Sequence, residues 1–417
     1  MENKLKIGLI GLGTVGSGVV KTLKAFPQIE IKTAAVRNLN KKRDVEVKEL
    51  TDDPFKIVND PEIDVVVEVA GGVHPAFELL TSAIKNRKHI VTANKELLAK
   101  HGAELFDLAN EYNVAILYEA AIAGGIPIIM PIKTALKGNR FKKVAGILNG
   151  TTNYILTQME EKGISYQECL KAAQELGYAE ADPTGDVEGY DTMYKIATLA
   201  NITFNKRIDV TKIYREGITN IDADDIKFAD ELGYKIKLIA LAQEDDGQID
   251  VRVHPMLVSK TSVISGINNA LNAVMLEGFP VGQVMFTGPG AGEFPTASSV
   301  VGDILAIAAE FSKCETILPM TRCHHKDMAV QTNILDTKNS YYISITAPNA
   351  IGVIGVIGTA CGKNKINISS VLQKGTQKDG TAHIIVITET CSERDIQNAI
   401  GELKKQSIKI NNLIRVM

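Results

Sequence analysis

Residues 1–130 alternate short apolar runs with amphipathic ones. Leu5 to Ile10, Ile29 to Val36, His89 to Thr92 and Val114 to Tyr118 read as strands. Asp64 to Ala70 (DVVVEVA) is almost continuously apolar, the pattern of a strand covered on both faces. Ser17 to Ala25, Pro75 to Asn86 and Glu96 to Tyr112 carry helical spacing between them. Strands alternating with helices of this length predict βαβ units and a parallel sheet.

The pattern changes after residue 130. Residues 131–320 mix strands (Lys143 to Leu148, Gln248 to Val253) with helices (Thr152 to Lys162, Tyr166 to Leu176, Tyr190 to Asn201). This predicts a second, α+β domain. Glycine and proline crowd residues 278–295 (GFPVGQVMFTGPGAGEFP), which reads as a loop-rich stretch before a helix from Ala297 to Phe311. That helix is expected to pack back on the first domain. Residues 321–340 are polar and read as a linker. Residues 341–417 then follow the order β-α-β-β-α-β, a ferredoxin-like arrangement. No internal repeat or low-complexity segment interrupts the chain.

Composition narrows the partners. The chain has 417 residues, 45% hydrophobic and 23% charged, which excludes wholesale disorder. A net charge of −3 favours neither nucleic acid nor an anionic membrane. No apolar run reaches the roughly 18 residues of a membrane span. The N-terminal MENKLKIGLIGLG lacks signal-peptide form, so a cytoplasmic location is expected. The cysteines at 169, 314, 323, 361 and 391 are odd in number and scattered, as suits reduced thiols. Cys323-His324-His325, with Cys314 nearby, fits no tetrahedral metal spacing.

Three segments carry chemistry. Gly11-x-Gly13-x-x-Gly16 follows a strand and opens a helix, with Thr14 and Val15 completing the loop. The glycines permit a tight turn, close approach of backbone amides to a pyrophosphate, and tight helix–sheet packing. The second strand ends at Arg37, not at the acidic residue that grips the NAD ribose, and Lys41, Lys42 and Arg43 follow. This suits a 2′-phosphate and predicts use of NADP; a solvated basic loop is the plain alternative. In GYAEADPTGDVEGYDTMYK (177–195), five carboxylates precede Lys195, and Asp191 and Lys195 stand four apart on one helix face. A lysine oriented by a carboxylate can deliver a proton to an oxygen that gains charge as hydride reaches carbon. An acidic loop with an ordinary helical salt bridge is the plain alternative there. Lys95, after a strand at the carboxyl edge of the sheet, is a second basic candidate. Gly150-Thr151-Thr-Asn lies at a strand–helix junction, where helix capping alone would account for it.

Taken together, GLGTVG, VTANKELLA (91–99), EAAIAGGIPII (119–129), ILNGTTNYIL (147–156), the 177–195 segment and GPGAGEFPTASSVVGD (288–303) resemble the homoserine dehydrogenases over essentially the whole chain. The resemblance implies a Rossmann-type NAD(P)-binding domain and interconversion of L-homoserine and L-aspartate 4-semialdehyde, on the route to threonine, methionine and isoleucine. It implies Lys195 as the proton-transferring lysine, supported by Asp191 and Asp186. It places Glu180 on the substrate amino group, with Gly150 and Thr151 at the substrate. Lys95 falls between cofactor and substrate. Thr92 and Gly290 fall on the cofactor side. It implies a monovalent cation, usually sodium, held at Glu119, Ile122, Gly124 and Ile126, mostly through carbonyls. The assembly expected is a homodimer or homotetramer.

Residues 341–417 resemble an ACT module, an amino-acid-sensing unit. This implies an L-threonine effector at Asn349, Ile351, Gly352 and Asn367. Asn349 and Ile351 stand where the family has an acidic residue and a proline, so a purely oligomerising module is the rival. The rival activities are another ACT-tailed oxidoreductase of hydroxyacid or prephenate type, a phosphorylating semialdehyde dehydrogenase, and a nucleotide-binding regulator without turnover. The first needs a catalytic histidine and the second a nucleophilic cysteine. Cys169 sits mid-helix, and no histidine is suitably placed.

Overall fold

In the computed structural model, residues 4–311, 322–376, 380–406 and 408–417 are described. The strands are β1 Leu5–Ile10, β2 Ile29–Ala35, β3 Leu50–Thr51, β4 Val65–Glu68, β5 His89–Thr92, β6 Ile116–Leu117, β7 Arg140–Ile147, β8 Tyr214–Arg215, β9 Tyr234–Asp245, β10 Gln248–Ser259, β11 Leu271–Phe279, β12 Gly282–Pro289, β13 Val330–Gln331, β14 Lys338–Pro348, β15 Ile368–Thr376, β16 Thr381–Thr388, β17 Cys391–Ser392 and β18 Lys409–Val416. The helices are α1 Thr14–Leu23, α2 Phe55–Asn59, α3 Ala76–Lys85, α4 Lys95–Tyr112, α5 Ala120–Ala123, α6 Ile129–Lys133, α7 Gly150–Lys162, α8 Tyr166–Glu175, α9 Thr184–Val187, α10 Tyr190–Phe204, α11 Ala223–Glu231, α12 Glu293–Phe311, α13 Val353–Lys363 and α14 Glu393–Lys405. The chain divides into two compact units: residues 1–150, 191–211 and 271–329, and residues 151–190, 212–270 and 330–417.

The first unit holds a parallel sheet in the order β3-β2-β1-β4-β5-β6. Strand order reverses between β1 and β4, so a crevice opens beyond their carboxyl ends, where ligands of such sheets bind. The apolar strands are buried on both faces; Val65, Val66 and Val67 are fully covered. Helix α12 packs on α1, and Ala297, Val300, Val301 and Ile304 share a core with Val19, Val20 and Leu23. Each fully buried valine or leucine contributes roughly 1.5–3 kcal/mol. The approach is close: a Cβ at Gly18 would sit 2.7 Å from the Glu293 carbonyl oxygen.

The loop reading of 278–295 is corrected. Gly282–Pro289 is strand β12, antiparallel to β11, which in turn pairs with β7. Glycine and proline are tolerated because β12 is half-exposed along its length. The following helix begins at Glu293, four residues before the expected Ala297.

In the second unit, β9 and β10 form a long antiparallel hairpin closed by Asp246-Gly247, both at positive φ. Such a two-residue turn matches the strand twist. Short stretches of β13, β8 and β18 pair parallel with β10 in succession. The C-terminal part is the expected ferredoxin-like unit, with sheet order β18-β14-β16-β15 and helices α13 and α14 packed on it. The polar stretch 322–340 is not a free tether. Val330–Gln331 pairs with β10, β14 already starts at Lys338, and Arg252 Nη2 donates to Asn339 Oδ1 at 3.0 Å.

Candidate active site

The glycine loop is built as its spacing demands. Gly11 has φ +100°, and a Cβ there would meet the Ala70 nitrogen at 2.8 Å. A Cβ at Gly16 would lie 2.2 Å from the Gly11 oxygen. Gly13 caps α1 with no side chain in the way, leaving the helix N-terminus open to an anion. Gly11, Gly13, Arg37, Asn38, Lys41 and Arg43 line one cavity of about 350 Å³, with Asp52 and Glu68. Thr14, Val15 and Gly16 form the first turn of α1 beside it. Arg43 is a loop staple: its guanidinium donates to the carbonyls of Asn38 and Lys41 at 2.7 Å each. An open helix N-terminus, apolar walls and a basic rim fit a dinucleotide.

Sequence reasoning missed Glu68. It is fully buried at the end of β4 and accepts from the amides of Ala70 and Gly71, both at 2.9 Å, and from Thr92 Oγ1 at 2.8 Å. It thereby shapes the turn over the cavity, and Thr92 serves it as a buttress. The signal was a lone carboxylate in an apolar strand (VVVEVA), which must find donors once buried. Asn94 caps α4 through Leu97 N and donates to the Gly72 carbonyl at 2.6 Å, holding the same turn.

The lysine–carboxylate cluster is assembled from three parts of the first unit. Asp191, in the first turn of α10, places Oδ2 2.6 Å from Lys195 Nζ and Oδ1 2.7 Å from Lys95 Nζ. Lys95 is the first residue of α4. Lys195 also donates to the Leu148 carbonyl at 2.7 Å, and Asn149 Nδ2 donates to Asp191 Oδ2 at 3.0 Å. Lys195 and Asp191 are buried, while Lys95 is 43% exposed. Burial alone would raise the Asp191 carboxyl, but the two ammonium groups override it and hold the carboxyl well below its usual range. Asn149 was also missed; a polar residue ending the apolar run VAGILN was its only mark.

Two predicted glycines meet. Gly124 (φ +58°) lies against the late loop, and a Cβ there would come 2.3 Å from the Gly290 oxygen. A Cβ at Gly290 would strike Asn272 Nδ2 at 1.9 Å; the buried Asn272 amide has no hydrogen-bond partner among the described residues. The Glu119 carboxylate is consumed by the amides of Ile128, Ile129 and Met130 at 2.5, 2.7 and 2.8 Å. Those three donors take most of the acceptor capacity of the Glu119 carboxylate, leaving its carbonyl as the freer oxygen for a cation. Gly124 O accepts from Ser299 Oγ at 2.7 Å. The Asp303 carboxylate also lies here and accepts from Glu119 N at 2.9 Å.

The second unit carries the remaining candidates. Glu180 is exposed and Asp186 half-buried, on a stretch whose regular structure is only α9. Thr151 Oγ1 donates to the Tyr178 carbonyl at 2.6 Å, and Gln174 Nε2 to that of Glu180 at 3.1 Å. Thr151 thus sits in α7 beside the start of this stretch, directly after Gly150. In the ferredoxin-like unit, Gly352 (φ +93°) caps α13, Ile351 is fully exposed, and the Asn367 carbonyl accepts from Glu389 N at 2.8 Å. Asn349 N donates to the Gly380 carbonyl at 3.0 Å.

Cys169 is buried in α8 and burial pushes its thiol up, the opposite of what a nucleophile needs. Cys323 Sγ lies 3.0 Å from Tyr118 Oη and accepts from Lys133 Nζ at 3.3 Å. Cys314 lies outside the described residues. Among the described residues no group of three His, Cys, Asp or Glu side chains is placed to hold a metal, and no helix is long and apolar enough to cross a membrane.

A doubly wound sheet with an open glycine loop, joined to a carboxylate clamped between two lysines, defines a nicotinamide-nucleotide-dependent oxidoreductase. Models of protein families agree: "Homoserine dehydrogenase, NAD binding domain" matches residues 11–119, "Homoserine dehydrogenase" residues 127–305, and "ACT domain" residues 341–407. The homoserine dehydrogenase of Synechocystis is 43% identical, covering 99% of both chains. The crystal structure of a homoserine dehydrogenase from Thiobacillus denitrificans superposes with a TM-score of 0.94 at 37% identity, covering 99% of this chain and 98% of that one. A hyperthermophilic archaeal homoserine dehydrogenase in complex with NADPH matches 74% of this chain and 98% of its own, at TM-score 0.64 and 26% identity. The chain belongs to the homoserine dehydrogenase family.

Proposed function

We propose that this enzyme interconverts L-homoserine and L-aspartate 4-semialdehyde, with Lys195 as the proton-transferring group. The observation that carries this reading is the buried Asp191 carboxylate bridging Lys95 and Lys195. The nicotinamide cofactor, when bound, takes up or supplies the hydride at the alcohol carbon. In the reducing direction the Lys195 ammonium donates a proton to the forming alkoxide. In the oxidising direction neutral Lys195 takes the hydroxyl proton, so oxidation rises toward alkaline pH. Asp191 fixes the angle of both lysines; Lys95 steadies developing charge between cofactor and substrate. Glu180 and Asp186 hold the substrate ammonium, and Gly150 and Thr151 meet its carboxylate.

NADP is the preferred cofactor, its 2′-phosphate met by Arg37 and the neighbouring Lys41. The NADPH-bound archaeal relative is consistent with this. Gly290 and the Gly124 turn flank the nicotinamide. A sodium ion is held by the carbonyls of Glu119, Ile122, Gly124 and Ile126. The enzyme works as a cytoplasmic homodimer or homotetramer, with L-threonine as effector of the ACT unit.

The test is homoserine oxidation with NADP and with NAD, in wild type, Lys195→Ala and Arg37→Ala, with and without L-threonine. Lys195→Ala should lose at least about a hundredfold in kcat while still binding cofactor. Near-normal kcat would overturn the assignment. Unchanged NADPH kinetics in Arg37→Ala would remove the arginine's role, and indifference to threonine would leave the ACT unit as an assembly module.

A further inference from the structure

The Tyr178–Tyr190 stretch carries Glu180 and Asp186 but little regular structure of its own. Its second half is held from outside by residues 214–219. Ile218 N donates to the Val187 carbonyl at 2.9 Å, and Thr219 Oγ1 to Glu188 Oε1 at 3.0 Å. The Arg215 guanidinium donates to the Glu188 carbonyl and stacks 3.6 Å from the centre of the Tyr190 ring. At Gly217 only a glycine fits, since a Cβ would lie 2.3 Å from the Val187 oxygen.

Residues 214–219 are in turn tied to the ferredoxin-like unit by the Arg415 side chain. Arg415 Nη1 lies 3.3 Å from Glu216 Oε2, and Nη2 donates to Tyr214 Oη at 3.3 Å. Tyr214 Oη donates onward to Glu216 Oε2 at 3.0 Å, closing a triangle. The guanidinium also stacks over the Tyr214 ring at 4.7 Å. Arg415 is 1% exposed and rigidly anchored: Nε and Nη2 form a fork with Glu393 Oε2 and Oε1 at 2.8 and 2.7 Å, and Tyr341 Oη donates to the same carboxylate at 2.9 Å.

Glu393 alone neutralises Arg415. The second carboxylate, Glu216, is not needed for charge balance; what it adds is a fixed link to the substrate stretch. A bidentate arginine transmits orientation as a lysine would not. We propose that Arg415 is a positioning residue for the substrate, acting through Glu216 and Tyr214 on the Val187–Tyr190 segment. This rests on the reading of Glu180 and Asp186 as substrate ligands. The ferredoxin-like unit then sets homoserine affinity even when no effector is bound.

The experiment uses the full-length enzyme and Glu216→Gln, which leaves the Arg415–Glu393 pair intact. Loss of the charged link should raise the homoserine KM about three- to tenfold, with kcat, the NADP KM and Tm nearly unchanged. Glu180→Gln is run beside it. A raised homoserine KM in Glu180→Gln with none in Glu216→Gln overturns the role of Arg415. Unchanged KM in both overturns the substrate reading beneath it. An equal rise of both KM values in Glu216→Gln reports general loosening and also overturns the proposal.

Discussion

Asp191→Asn removes one charge and almost no volume, so its effect isolates electrostatics. In the wild type the carboxylate meets Lys195 Nζ at 2.6 Å and Lys95 Nζ at 2.7 Å, and Lys195 is only 7% exposed. An ion pair this close is worth roughly 6 kcal/mol at an effective dielectric of about 20, most of it offset by desolvation of the ions. Deleting one partner leaves the Lys195 charge buried against a neutral amide and the Leu148 carbonyl, which costs about 3–5 kcal/mol. The Lys95 pair adds little, because Lys95 is 43% exposed and screened by water. For a unit of this size that is a fall in Tm on the order of 10 °C. The sign with pH is fixed. Asp191 has its carboxyl lowered in the fold, so it stabilises above the unfolded carboxylate range and is lost as pH falls through the folded value. The variant's deficit should therefore stay full down to about pH 4 and shrink only below it. The assays are thermal melts from pH 2 to 10 and homoserine oxidation from pH 6 to 10, with kcat at neutral pH down at least about a hundredfold. A Tm within 2 °C of wild type at pH 7, with kcat down less than about threefold, would refute the claim that this carboxylate orients the lysines.

Other outcomes follow from the same geometry. Gly290→Ala drives a Cβ into Asn272 and should cost about 1–3 kcal/mol; Asn272→Ala in the same chain should restore much of it, read by melts. Glu68→Gln puts an amide hydrogen against one of three donors and should raise the NADP KM about tenfold while sparing that for homoserine. Asp225 accepts from Tyr342 Oη at 3.0 Å and Asn412 Nδ2 at 2.8 Å, and burial, then the Asp222 charge, pushes its carboxyl up to about 6. Raised above its unfolded value, it favours the fold more in acid, so wild type should lose about 1 kcal/mol relative to Asp225→Asn between pH 5 and pH 7, measured by denaturant titration.

Much of this was legible in the chain. The strand–helix alternation before residue 130 and the order of the last 77 residues emerge as written, because their apolar periods are set by local burial. The glycine loop was readable since Gly11 and Gly16 answer steric demands that no other residue meets, while Gly13 leaves the approach to the helix N-terminus clear. Strand β12 was hidden because its glycines and proline punctuate like a loop, and only pairing with β11, a tertiary contact, makes it a strand. Asp191 and Lys195 announced themselves by spacing four apart. Asn149 did not, for Asp191 lies 42 residues away, and Glu68 showed only as a lone carboxylate in an apolar strand, with Thr92 24 residues away. Nor could spacing place Arg415 beside Glu216, 199 residues earlier.

The packing of α12 on α1 has a consequence for biosynthesis. The apolar face of α1 (Val19, Val20, Leu23) is covered by residues that include Ala297, Val300 and Val301, which leave the ribosome much later. At about 5–20 residues per second, the nascent sheet waits roughly 15–55 s with that face open to water. The unit therefore cannot complete its core as its N-terminal half emerges.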